Sequence, residues 1–129
     1  MTTELGILAL YGALIVLTVL AQVMTAIVTQ DIPYLVGPRD EAREPSVVTG
    51  RLKRALDNTV VAMAYFAPAV LVIQLLGLNS AATLLAAQIF LAARLAYIVL
   101  YALGTPWVRT VIWVVGLLAS LYLYSVALI

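Results

Sequence analysis

Cysteine and histidine are both missing from this chain of 129 residues. Their absence excludes disulfides, thiolate and imidazole metal sites, cysteine nucleophiles and histidine bases. Charge is scarce as well: 10% of residues are charged against 65% hydrophobic, where a soluble domain carries about 25% charged residues. With a mean hydropathy of +1.13, the composition describes an integral membrane protein. Any chemistry must come from Tyr, Arg, carboxylates or amides, or from a group that a bound molecule supplies.

Apolar runs fill most of the chain. A spanning helix needs about 20 mostly apolar residues, and the pattern predicts four spans, at about 4–29, 47–77, 80–103 and 106–129, joined through a loop at 30–46. The expected fold is a single all-α domain, an integral membrane four-helix bundle. The first run is too long for the apolar region of a secretory signal and has no Lys or Arg ahead of it, so it reads as a retained span. The loop stretch "DIPYLVGPRDEAREPS" holds three prolines, a glycine and six charged residues, the composition of a turn-rich connection. Ser46 after Pro45 is placed to cap the second helix.

The net charge of +1 conceals a one-sided distribution. All seven basic residues lie in 39–54 or 94–109, whereas the N-terminal tail and the "GLNS" connection at 77–80 carry only Glu4 between them. The positive-inside rule then puts the first and third connections in the cytoplasm and both termini outside it. Because the basic residues follow the membrane boundary, no nucleic-acid partner is expected.

Two helices carry matching polar stripes. Arg51, Arg54 and Asn58 stand at i, i+3 and i+7, and so do Arg94, Tyr97 and Tyr101, a spacing that shares one helix face. Arg94 lies nine residues inside the end of span three, about 14 Å up the helix. An arginine that deep costs roughly 2.5–3.5 kcal/mol unless it faces a bundle interior or a polar cavity. Asp57 is the one acidic residue within the stripes and a candidate ion-pair partner for Arg94. The surplus of positive charge points to an anionic ligand, with carboxylates that match the guanidinium fork. Each residue also has a plainer reading: Arg51 and Lys53 as topology signals, Arg54 and Arg109 as cations snorkelling to lipid phosphates, Asn58 as a bridge between helices, and Tyr97 and Tyr101 as interfacial aromatics.

"RLKRALDN" at 51–58, "ARLAYIVLY" at 93–101 and "GTPWVRT" at 104–110 together resemble the MAPEG family, the membrane-associated proteins in eicosanoid and glutathione metabolism. The resemblance extends over essentially the whole chain. It implies a homotrimer that binds glutathione between neighbouring subunits near the cytoplasmic face, with Arg54 and Asn58 on the tripeptide and Arg94, Tyr97 and Tyr101 lining the site. Arg51 belongs to the same cofactor-binding stripe. Arg109 matches the arginine that stabilises the glutathione thiolate, which makes it the catalytic candidate. The second substrate would be a lipophilic small molecule arriving from the membrane lipids, and the expected location is a bacterial inner membrane. The sequence departs from the family pattern where a glutamate binds the glutathione amino group: here that position is Val61.

Two functions compete on this basis. One is a glutathione-dependent transferase or peroxidase acting on lipophilic electrophiles. The other is a non-catalytic protein of the same fold that binds another anion or a lipid. A proton-coupled antiporter would need an embedded carboxylate, and span one offers none beyond Glu4 at its edge.

Overall fold

A computed structural model describes residues 2–129 as five helices: α1 (Glu4–Thr29), α2 (Ile32–Val36), α3 (Val47–Leu75), α4 (Ala81–Leu103) and α5 (Pro106–Leu128). No strand occurs among the described residues. Four of the helices, all but α2, are long and apolar enough to cross a membrane, and the protein is an integral membrane protein. The short α2 lies in the proline-rich connection, started by Pro33 at its first turn and ended at Gly37.

Local chemistry fixes where the long helices begin. Ser46 caps α3, its hydroxyl accepting from the Thr49 amide. Ser80 caps α4 in a reciprocal capping box with Thr83. These bonds satisfy amides that a helix N-terminus leaves without an intrahelical partner.

The same hydroxyls then tie helices together. Thr83 Oγ1 donates to the Glu4 carboxylate at 2.5 Å, joining the starts of α1 and α4 at one end of the bundle. At the other end Thr49 Oγ1 donates to Thr25 Oγ1 at 3.0 Å, joining the end of α1 to the start of α3. The spans therefore alternate in direction. Helices α3 and α4 form the centre, with α1 packed on one side and α5 on the other, and the backbones of α1 and α5 do not approach each other closely.

Lipid tails are as apolar as leucine, so burial of hydrocarbon drives membrane helices together weakly and packing and hydrogen bonds must contribute. The core of this bundle is aromatic. Phe66 of α3 and Phe90 of α4 stack with centroids 3.8 Å apart, and Tyr11 of α1 meets both edge-on at 5.9 and 5.0 Å. Such pairs contribute about 0.5–1.5 kcal/mol each. Two tyrosine hydroxyls leave this core to find backbone acceptors on α3: Tyr11 donates to the Thr59 carbonyl and Tyr124 to the Tyr65 carbonyl. One tyrosine from α1 and one from α5 thus each lock an outer helix onto α3.

The turn after α4 has a specific requirement. Gly104 adopts φ +77° as the C-terminal cap, a conformation that costs an L-residue about 1–2 kcal/mol. A Cβ there would also stand 2.8 Å from the Arg51 guanidinium, which reaches across from α3 to the Ala102 carbonyl at 3.4 Å. A cation at a helix C-terminus is favourable against the helix dipole. Gly77 has a similar positive φ but open space around it. Gly104→Ala is accordingly expected to lower stability by about 2 kcal/mol and Gly77→Ala by about 1 kcal/mol, read as thermal unfolding in detergent. Arg51→Ala should narrow the difference between them.

Candidate functional site

Arg94 is the largest fully buried side chain among the described residues, with a relative exposure of 1%. One of its terminal nitrogens, Nη2, donates to Asn58 Oδ1 at 3.0 Å and to Thr59 Oγ1 at 3.3 Å. The guanidinium also lies 4.3 Å over the Tyr97 ring, where the negative face of the ring attracts a cation. Helix α5 lays Gly116 against the aliphatic part of the same side chain. Its Nε and Nη1 are buried without a hydrogen-bond partner. The charge is therefore held by neutral groups, and Asp57 is not among its partners: that carboxylate faces outward and pairs with Lys53 at 3.4 Å. The spacing explains this. Asp57 is one residue from Asn58, about 100° away round the helix, so both cannot face α4.

Beside Arg94 the bundle opens into a cavity of about 240 Å³ lined by Asn58, Tyr97, Tyr101, Arg109, Thr110 and Trp113. Arg109 projects from the first turn of α5 and lies 4.2 Å over the Tyr101 ring. Arg54, exposed on α3, approaches the same ring at 5.9 Å. Tyr97 and Tyr101 contact each other edge-on at 5.6 Å. Of the residues singled out in the sequence, Asn58, Tyr97, Tyr101 and Arg109 line one opening, Arg94 packs against Asn58 and Tyr97, and Arg54 approaches Tyr101. Arg51 goes elsewhere, to the end of α4.

The electrostatics at this end of the bundle are one-sided. Helices α3 and α5 begin here while α1 and α4 end here, so the helix dipoles offset one another and the imbalance lies in the side chains. Arg109, in the first turn of α5, opposes the dipole of its own helix, which makes it hard to explain as a helix stabiliser. The surplus of guanidinium favours an anion, which gains also from the start of α5. No carboxylate lines the cavity.

Thr59 and Thr110 escaped the sequence reading, since a single threonine next to a stripe gives no pattern signal. A larger cavity of about 530 Å³ also went unread. It lies between the end of α1, α2 and the start of α3, but its cations are engaged: Arg43 pairs with Asp31 at 3.1 Å and stacks on Tyr34, Arg39 donates to the Leu35 carbonyl, and Lys53 holds Asp57.

The family model of the MAPEG family matches residues 5–129. The chain belongs to the MAPEG family. No curated protein and no solved structure gave a significant match. Membership agrees with the four apolar spans, and this MAPEG chain carries its buried arginine and its cavity within the matched region.

If neutral groups hold the Arg94 charge, Asn58 and Arg94 must be energetically coupled. Asn58→Leu should cost about 2 kcal/mol by removing a buried acceptor. Adding Arg94→Met should recover part of that loss, with a coupling of about 1 kcal/mol in a double-mutant cycle on unfolding in detergent. Strictly additive losses would show that the two side chains act independently.

Proposed function

We propose that this protein is a thiol-dependent transferase or peroxidase of the MAPEG family, with glutathione as the thiol and a lipophilic electrophile from the bilayer as second substrate. The observation that carries the reading is the cavity in which Asn58, Tyr97, Tyr101 and Arg109 meet without a carboxylate, backed by the buried Arg94. A chain without cysteine or histidine offers no neutral-pH nucleophile of its own, but a bound thiol does. The thiolate is the reactive form, and a neighbouring cation lowers the thiol pKa from about 8.5.

In this reading Arg109 stabilises the thiolate sulfur, while Arg54, Asn58 and the tyrosines Tyr97 and Tyr101 orient the tripeptide. Arg51 holds the end of α4 instead of the tripeptide, and Arg94 fixes Asn58. The thiolate attacks the electrophilic centre of the lipophilic substrate, forming a sulfur–carbon bond as the leaving group departs. With a hydroperoxide, the thiolate attacks the outer oxygen, forming a sulfur–oxygen bond as the O–O bond breaks and the alkoxide leaves to take up a proton, and a second thiol then displaces water from the sulfenic acid to give the disulfide.

A cavity of about 240 Å³ is smaller than the ~300–1,000 Å³ of common ligand pockets. A neighbouring subunit would complete it, which supports a homotrimer with the site between copies. The lipid-facing or subunit-facing surfaces on α1 and α5, which expose Val16, Leu17, Leu20, Val111, Leu118 and Leu121, are compatible with such packing. The basic end of the bundle faces the cytoplasm in the proposed orientation, with both termini outside, in a bacterial inner membrane. One observation favours the second reading, a non-catalytic protein binding another anion or lipid: Val61, one turn from Asn58, is an exposed apolar residue where family members use a glutamate.

Calorimetry and turnover separate the two. The enzyme reading predicts saturable thiol binding and conjugation of a model electrophile, with Arg109→Ala lowering kcat by about 10²–10³-fold, the usual loss of one charge-stabilising donor. The rate of the parent should rise with pH through the lowered pKa of the bound thiol. In Arg109→Ala that rise should move to higher pH, towards the free thiol value. Binding without turnover at any pH would favour the non-catalytic reading.

A further inference from the structure

The charged end of α3 presents two faces. Arg54 and Asn58 turn towards α4 and the cavity beside Arg94. Thr49 and Lys53, at i and i+4, line instead the cavity of about 530 Å³ between α1, α2 and α3. The two cavities share no lining residue. The larger one is amphipathic. Its apolar part includes Val23 and Ile27, both exposed in the last two turns of α1, and Leu35 of α2. Its polar part carries Arg39, Arg43 and Lys53, and no carboxylate stands in the lining.

These cations are engaged but not exhausted. An arginine has five N–H donors and a lysine three. Arg39 spends Nε and Nη2 on one acceptor, the Leu35 carbonyl, Arg43 gives Nη1 to Asp31, and Lys53 gives one bond to Asp57. Both ion pairs are exposed, and exposed pairs are weak enough for a further anion to share them. Arg39 has no acidic partner among the described residues. Its backbone also takes φ +56°, a left-handed conformation that is unfavourable for a residue with a Cβ and is found most often where a ligand is held. Beside it Ile32 and Val36 of α2 are exposed, apolar side chains in a charged connection, as in a segment that lies in the membrane interface.

We propose that this cavity holds an anionic phospholipid, with the headgroup phosphate on Arg39, Arg43 and Lys53 and the start of an acyl chain along Val23 and Ile27. A free phosphate would use the cations and leave the apolar part bare; a lipid without net charge would do the reverse. Basic pockets between spans at the cytoplasmic leaflet are suited to anionic headgroups, and in the orientation proposed above this end of the bundle meets that leaflet. The assignment shares no residue with the thiol site and stands or falls separately from it.

The test is native mass spectrometry of the full chain in detergent, offered equal amounts of phosphatidylglycerol and phosphatidylcholine with matched acyl chains. One phosphatidylglycerol per chain should be retained, with a preference of about tenfold, and Arg39→Gln should cut that preference about fivefold. Lys53→Gln, on the regular part of α3, should act in the same direction and keeps the test valid if the connection rearranges in the Arg39 variant. Arg51→Gln removes the same charge at the same end of the bundle but outside the cavity, and should leave the preference unchanged. Equal retention of the two lipids, or an equal loss in Arg51→Gln, would overturn the proposal in favour of diffuse attraction to a basic surface. Displacement of the lipid by glycerol phosphate, which has the head without the tails, would overturn it in favour of a soluble phosphate. Uptake seen only after the oligomer is dissociated would mean that a second copy covers the cavity, which overturns it as well.

Discussion

A guanidinium buried among membrane helices with no carboxylate beside it governs this structure. Arg94 could have been neutralised by one aspartate on the facing helix, and Asp57 lies only one position from doing so. Instead α3 presents Asn58 and Thr59 to it, α4 supplies the Tyr97 face, and α5 closes over its methylenes with Gly116. A charge held by dipoles alone keeps most of its field, since nothing of opposite sign cancels it. The packing that secures this arrangement is nearby: Tyr11 fixes the carbonyl of Thr59, and the stacked Phe66 and Phe90 set the spacing of α3 and α4.

The consequences appear one helical turn or two towards the basic end. Arg54 and Arg109 reinforce the potential that Arg94 begins, while Arg51 is diverted to the C-terminus of α4, where it offsets a negative dipole end. The result is an opening with aromatic walls, with Arg109 in its lining and no carboxylate. That combination is poorly suited to stabilising a bundle by itself and well suited to an anion. It also converts a protein without reactive sulfur or imidazole of its own into one that can activate sulfur brought by a ligand.

Much of this was legible in the sequence, for physical reasons. Spans are readable because about 20 apolar residues are required to cross a bilayer, and the stripe 94, 97, 101 is readable because a helix repeats its faces regularly. The Ser46 cap follows from the serine after a proline. Other features depend on rotation about helix axes and on lateral register, which spacing along one chain does not encode. Asp57 and Asn58 are neighbours in sequence, yet only the rotation of α3 decides that the amide faces Arg94 while the carboxylate pairs with Lys53. Arg51 shares a face with Arg54 and Asn58 in projection, but the end of α4 lies within its reach and takes it. The helix α2 hides in a stretch whose prolines read as a loop, because Pro33 falls in the first turn, where a missing amide hydrogen costs nothing.

The central claim is that the positive opening activates a bound thiol. The most direct measurement is the ultraviolet difference spectrum of saturating glutathione mixed with the detergent-solubilised protein near pH 6.5, where the free thiol is protonated. The account predicts a thiolate absorbance that grows in proportion to occupied sites and disappears in Arg109→Ala. A site shown by calorimetry to be saturated, with no thiolate band, would contradict it.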